Sequence, residues 1–115
     1  MPSFDKTGRI RRRADYLSLS VSASKFTAPH FIVLRGKSIV EFPRIGITVT
    51  KKVGNAVCRN RIKRLVREFF RNNKDLFAPA DYNVIARAGA GLLKYATVCQ
   101  ELVNVLTKIG QRNSY

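Results

Sequence analysis

Residues 44–71 carry the clearest structural pattern of the chain and read RIGITVTKKVGNAVCRNRIKRLVREFFR. At their start, Ile45, Ile47 and Val49 alternate with small or polar residues, and this period of two predicts a β-strand. The Val-Gly-Asn run at residues 53–55 predicts a turn, with Asn55 placed to cap a following helix. We therefore expect a strand, a turn and the start of a helix in succession.

The helix predicted after this turn has two opposite faces. From Ala56 to about Asn73 the apolar residues recur at i, i+3, i+4, i+7 and i+8, the stripe of a helix packed on a core. These apolar residues are Ile62, Leu65, Val66, Phe69 and Phe70. On the other side, at about 100° per residue, one row is formed by Asn60, Arg64, Arg67 and Arg71. The pattern predicts one apolar and one cationic face.

The rest of the chain completes a small α+β sandwich. Besides the strand and helix above, the patterns predict helices at residues 13–20 and 95–109 and strands at residues 31–34, 38–41 and 81–87. The resulting order is αβββαβα in one domain over residues 1–115. We expect residues 1–12 to form a flexible basic arm.

The charge of the chain indicates a polyanionic partner. Its 115 residues contain 22 Lys and Arg against 7 Asp and Glu, a formal net charge of +15, with an ordinary hydrophobic share of 45%. Residues 51–71 hold eight of the basic residues and a single acid, Glu68. Because like charges on one helix face repel, such a face is best explained by a phosphate backbone that neutralises it. Lys51, Lys52 and the turn before the helix add a candidate phosphate or phosphate–metal site at the helix N-terminus.

Nucleic acid is a better candidate than a membrane. No apolar run approaches the roughly 18 residues that span a bilayer, and the N-terminus lacks the apolar segment of a signal peptide. Cys58 and Cys99 lie outside any CxxC pair, so we expect no zinc site. We expect a cytoplasmic protein with no membrane partner.

Residues able to catalyse bond cleavage are few and dispersed. The seven acids are scattered along the chain and His30 is the only histidine. A protein nuclease usually needs a histidine pair or carboxylates that hold metal ions about 3.5–4 Å apart. We therefore expect no catalytic residue in the polypeptide and no metal ion held by the protein alone.

The 44–71 string, with Arg59-Asn60-Arg61 inside it, resembles the signature of the bacterial ribonuclease P protein subunit. The likeness extends to Asp15-Tyr16, Ala86-Arg87 and Leu93-Lys94-Tyr95, and so spans nearly the whole chain. The resemblance implies one protein in complex with a catalytic RNA that removes the 5′ leader of precursor tRNA, with Mg²⁺ bound mainly by RNA. It also implies a left-handed βαβ crossover around the basic helix, against the general right-handed rule.

The resemblance implies two RNA-binding surfaces. The basic helix and its preceding turn are expected to bind the catalytic RNA, through Lys51, Lys52, Asn55, Arg59, Asn60, Arg61, Lys63, Arg64, Arg67 and Arg71. A cleft between the first helix and the sheet is expected to hold the leader, through Arg11, Arg12, Arg13, Tyr16, Phe31 and Arg35. Ser20 and Leu34 stand where the family often has aromatic residues. Each lost base stack weakens leader binding by roughly 1–3 kcal/mol unless Phe31, Arg35 or another group compensates.

Two other functions fit parts of the sequence. A structural RNA-binding protein, such as a ribosomal protein, would have a similar composition and charge. A self-sufficient metal-dependent nuclease would cleave without added RNA. The 44–71 string favours the ribonuclease P subunit over both.

Overall fold

The computed structural model describes residues 9–10, 13–37 and 41–112, arranged as three helices and a four-stranded sheet in the order αβββαβα, as predicted. The elements are α1 (Arg13–Ser22), β1 (Ser24–Thr27), β2 (Phe31–Gly36), β3 (Arg44–Thr48), α2 (Ala56–Asn72), β4 (Asp81–Ala86) and α3 (Tyr95–Arg112). The strand order is β1-β2-β4-β3, with β3 and β4 parallel and the other neighbours antiparallel. Strand β3, helix α2 and strand β4 thus form the βαβ unit, and its left-handed sense stays a prediction from the resemblance.

One strand was predicted in the wrong segment. The strand beside β2 on the side away from β4 is β1, which pairs Ser24 with Arg35 and Thr27 with Ile32. Of the predicted 38–41 strand, residues 38–40 lie outside the described residues and Glu41 lies in a bend. Strand β1 is a short edge strand in which only Phe26 is buried, so its sequence has no alternating apolar pattern to reveal it.

The core fills the space between one face of the sheet and helices α2 and α3. The sheet contributes Phe31, Val33, Ile45, Tyr82 and Val84, and the predicted stripe of α2 lies against them. The ring of Phe77, just after α2, stands edge-on to Phe70 and Tyr82, with centroids 4.8 and 5.1 Å away. Burial of each such side chain stabilises the fold by about 1.5–3 kcal/mol.

Helix α1 covers part of the opposite face and approaches the sheet closely at two glycines. A Cβ on Gly36 would lie 2.8 Å from Leu19 Cδ2, and one on Gly46 would lie 2.5 Å from Tyr16 Oη. Arg44 also fixes this helix. It donates two hydrogen bonds to Asp81, at 2.8 and 2.7 Å, and its guanidinium lies 3.6 Å from the Asp15 carboxylate.

The end of the N-terminal arm is docked on the sheet. Arg9 pairs in parallel with Ile45, the Ile10 amide donates to the Ile45 carbonyl at 3.0 Å, and the Ile10 side chain is 4% exposed. Arg9 and Ile10 are thus held against the sheet, and the flexibility of the arm as a whole stays a prediction. Residues 1–8, Arg11 and Arg12 lie outside the described residues.

Candidate nucleic-acid interface

Helix α2 begins as the sequence predicted. The Asn55 side chain accepts a hydrogen bond from the Cys58 amide at 2.9 Å, which satisfies one of the free N–H groups at the helix start. Lys51 and Lys52 are exposed in the turn before it, and no acid occupies the first turn of the helix. The positive end of the helix dipole and the two lysines thus face solvent together.

The predicted cationic row of α2 is in place. Asn60, Arg64, Arg67 and Arg71 line one open depression of about 330 Å³. Arg9 joins them from the docked arm, a contribution that the sequence analysis missed. Burial lowers the pKa of Arg67, and the charge of Arg9 lowers it further. A bound anion would offset both effects by stabilising the charged guanidinium.

The arginines of the Arg-Asn-Arg motif differ in their surroundings. Arg61 donates to the carbonyl oxygens of Gly91 and Leu93, at 3.3 and 2.7 Å, on the side of α2 that faces the start of α3. Arg59 Nε is buried and has no hydrogen-bond partner among the described residues. Arg61 is thus engaged within the fold, whereas Arg59 retains an unsatisfied donor.

A groove of about 600 Å³ lies beside α1. It is lined by Arg13, Tyr16, Leu17, Ile47, Thr48, Val49, Lys63 and Asn83. Burial raises the pKa of the Tyr16 hydroxyl, while a hydrogen bond with the Ile47 backbone and the charge of Arg67 oppose the rise. The groove therefore combines a neutral phenol, aliphatic side chains and two cations at its margin.

Two polar residues that line the groove were not predicted from the sequence. The Thr48 hydroxyl donates to Asn83 Oδ1 at 3.0 Å, and Asn83 is only 6% exposed. Asn83 stands directly between the buried residues Tyr82 and Val84 of β4. A polar residue inside a buried strand is the signal that could have identified it.

A smaller depression joins the groove to the cationic row. It measures about 210 Å³ and brings Tyr16 and Lys63 together with Arg9 and Arg67. Tyr16 and Lys63 also line the groove, and Arg9 and Arg67 also line the row. The two surfaces are therefore continuous.

The structure corrects two predicted leader contacts. Phe31 is 0% exposed, within the core. Arg35 pairs with Tyr82 and hydrogen-bonds to its side chain, which places it on the face covered by α2 and α3. Alternation along β2 instead directs Leu34 toward the α1 face. Arg13 and Tyr16 do line the groove, whereas Arg11 and Arg12 lie outside the described residues.

The acidic side chains near the groove are already paired. Asp15 and Asp81 contact Arg44, and Glu101 binds His30 on the far side of the sheet. Among the described residues, no three His, Cys, Asp or Glu side chains are grouped closely enough to hold a metal ion. Within the same residues, no helix is both long and apolar enough to cross a bilayer.

A sandwich that exposes a cationic helix beside a groove with an aromatic wall defines a protein suited to bind a polyanion. Comparisons with known proteins identify the family to which this chain belongs. The family model described as Ribonuclease P matches residues 4–110, and the chain belongs to this family as a protein component of ribonuclease P, the ribonucleoprotein endonuclease of tRNA processing. The family match favours this function over a ribosomal protein or a self-sufficient nuclease.

Relatives and solved structures agree over nearly the full chain. The ribonuclease P protein component of Syntrophus aciditrophicus is 50% identical over 104 residues, which cover 90% of this chain and 87% of the relative. That of Geobacter sp. strain M21 is 42% identical, with coverage of 96% and 95%. The Staphylococcus aureus RNase P protein superposes with a TM-score of 0.84 at 33% identity, covering 90% of this chain and 96% of that one. The Thermotoga maritima protein gives 0.80 at 34% identity, with coverage of 87% and 96%.

Proposed function

We propose that this chain binds the catalytic RNA of ribonuclease P through α2 and its preceding turn, and holds the 5′ leader of precursor tRNA in the groove beside α1. The observation that carries the proposal is the continuity of the two surfaces through Arg9, Tyr16, Lys63 and Arg67. One protein bound to one catalytic RNA could then present the leader next to the reacting RNA. We place this work in the cytoplasm.

The catalytic-RNA surface is suited to a phosphate backbone. From Asn60 to Arg71 the row runs along about 16 Å of helix, long enough to meet several successive phosphates. Arginine presents a planar fork that can bind two phosphate oxygens at once. The buried Arg59 Nε gains a hydrogen-bond partner when a phosphate binds beside it.

The leader groove is suited to single-stranded RNA. The Tyr16 ring offers a stacking surface of about 1–3 kcal/mol per base, and Arg13 and Lys63 neutralise the backbone. The phenol is neutral at physiological pH, since the ordinary tyrosine pKa of 10.0 already lies well above it and burial raises the pKa further. Since Leu34 lies on the groove face and is not aromatic, Tyr16 is the aromatic anchor among the described residues that line the groove.

In the complex we expect Mg²⁺ to be bound mainly by RNA phosphates. The protein's part is to neutralise and orient those phosphates, since its own carboxylates near the groove are bound to Arg44. We assign bond cleavage to the RNA and leader alignment to the protein.

The experiment is a reconstituted cleavage assay with a bacterial ribonuclease P RNA and precursor tRNA over a Mg²⁺ titration. We expect the protein to lower the Mg²⁺ concentration needed for cleavage. A triple variant of Arg64, Arg67 and Arg71 to Ala should lose this effect, while Lys108→Ala, on the exposed side of α3, should keep it. An unchanged Mg²⁺ requirement with folded protein would overturn the proposal.

A further inference from the structure

Helix α2 has a third side, which belongs neither to the core nor to the outward cationic row. Arg61 and Asn72 lie along it and bond toward α3. Arg61 donates to the Gly91 and Leu93 carbonyls, at 3.3 and 2.7 Å, and Asn72 Nδ2 donates to Tyr95 Oη at 3.3 Å. This side therefore docks on the segment that leads into α3.

The 89–93 turn is shaped to pack against the first turns of α2. Gly89 has a φ of 91°, a left-handed conformation that favours glycine. Ala90 is buried, and a Cβ on Gly91 would collide with the Cys58 sulfur. Contact with α2 thus fixes the turn at both Gly91 and Ala90.

The same turn exposes an apolar side chain. Leu92 is 90% exposed, and Val57, which precedes Cys58 on α2, is 78% exposed. Each is the chain neighbour of a residue in the contact between Cys58 and Gly91, at the end of α2 that carries Arg59 and follows the turn with Lys51 and Lys52. Two exposed apolar side chains in so cationic a setting favour a partner that offers phosphates beside base and ribose surfaces.

We propose that Arg61 is a positioning residue that holds the 89–93 turn beside α2, so that Leu92 and Val57 bind the catalytic RNA. This inference rests on the proposed function. The Gly91 and Leu93 carbonyls match the guanidinium fork, whose two terminal nitrogens each reach one oxygen. Lysine, with one compact ammonium group, cannot reproduce both bonds in that geometry.

The test measures the Kd for a bacterial ribonuclease P RNA over a range of KCl concentrations. Arg64→Ala is the control for a phosphate contact, because Arg64 is exposed on the outward row. It should reduce the slope of log Kd against log salt by about 0.7–0.9. Arg61→Ala should weaken binding about tenfold, through the added cost of ordering the turn, and leave the slope unchanged.

Two further variants separate positioning from charge. Arg61→Lys keeps the charge and loses the fork, so it should weaken binding about as much as Arg61→Ala. Leu92→Gln changes no charge and should weaken binding with an unchanged salt slope. Hydrogen exchange at the Leu92 and Leu93 amides should be faster in both Arg61 variants, because the turn is released.

Several results would overturn the inference. A salt slope reduced as far by Arg61→Ala as by Arg64→Ala would make Arg61 a phosphate contact, as would wild-type affinity in Arg61→Lys. If folded Arg61→Ala bound the RNA with wild-type affinity, Arg61 would have a structural role only. If Leu92→Gln bound with wild-type affinity, Leu92 would make no apolar contact with the RNA. A wild-type protein that fails to bind the RNA would instead refute the proposed function itself.

Discussion

Replacement of Gly46 by alanine is expected to displace Tyr16 and thereby damage the leader groove. The added Cβ would lie 2.5 Å from Tyr16 Oη, 2.6 Å from its Cε1 and 2.7 Å from its Cζ. Carbon atoms in contact normally lie about 3.5–4.0 Å apart, so the ring must move by about 1 Å. Helix α1 cannot simply lift, because Leu19 packs on Gly36 and Arg44 holds Asp15.

The expected magnitude follows from the cost of overpacking. A buried group forced into an occupied site costs about 1–3 kcal/mol of unfolding free energy. In a domain of this size each kcal/mol lowers Tm by roughly 4–8 °C. The displaced ring should also stack less well, so precursor tRNA should bind more weakly while mature tRNA, which lacks the leader, should be unaffected.

The assay is a double-mutant cycle with Tyr16→Ala, read by urea unfolding and by binding of the two tRNA forms. Removal of the ring removes the collision, so Gly46→Ala should cost little in the Tyr16→Ala background. Gly36→Ala is the matched control, because its Cβ meets the flexible Leu19 side chain at 2.8 Å. It should lower stability without selective loss of leader-bearing substrate. An equal cost of Gly46→Ala with and without the Tyr16 ring would show that the ring is not the group that the added Cβ displaces.

Three more predictions concern stability. Arg44→Ala leaves the buried Asp81 carboxylate unpaired and should cost about 3–5 kcal/mol by urea unfolding, with partial recovery in Arg44→Ala/Asp81→Asn; no recovery would contradict the ion-pair explanation. His30→Ala removes the ring bond of 2.6 Å to Glu101 and should cost about 1–3 kcal/mol, whereas the wild-type unfolding midpoint would argue against this contact. Burial raises the pKa of Tyr82 above its ordinary 10.0, so the neutral phenol favours the folded state. The stability that Tyr82 contributes to folding should therefore fall as pH rises past 10.0, and a Tyr82→Phe variant that loses stability equally steeply would contradict this.

Helix α2 could be predicted from the sequence because its signals are local and agree. A side-chain cap, an apolar stripe and a polar row all fall within 18 residues, counting Asn55. The long helix α3 follows from the same periodicity. Both ends of these helices lie within a few residues of the predicted positions, as expected where burial and local preference coincide.

The predictions of side-chain position failed where that position depends on residues distant in sequence. The run Phe31 to Leu34 is apolar throughout, so its sequence predicts a strand without indicating which residues face α1. Pairing with Tyr82 then places Arg35 on the face of the sheet that α2 and α3 cover. Likewise, the bonds of Arg61 end on carbonyls some thirty residues away, which no local pattern can indicate.

In the proposed division of roles, the protein aligns RNA and RNA breaks the bond. The most direct measurement is cleavage of precursor tRNA by the purified protein after complete removal of RNA, with and without added ribonuclease P RNA. We expect no mature 5′ end from the protein alone and efficient processing once the RNA is restored. Accurate processing by the RNA-free protein would contradict it.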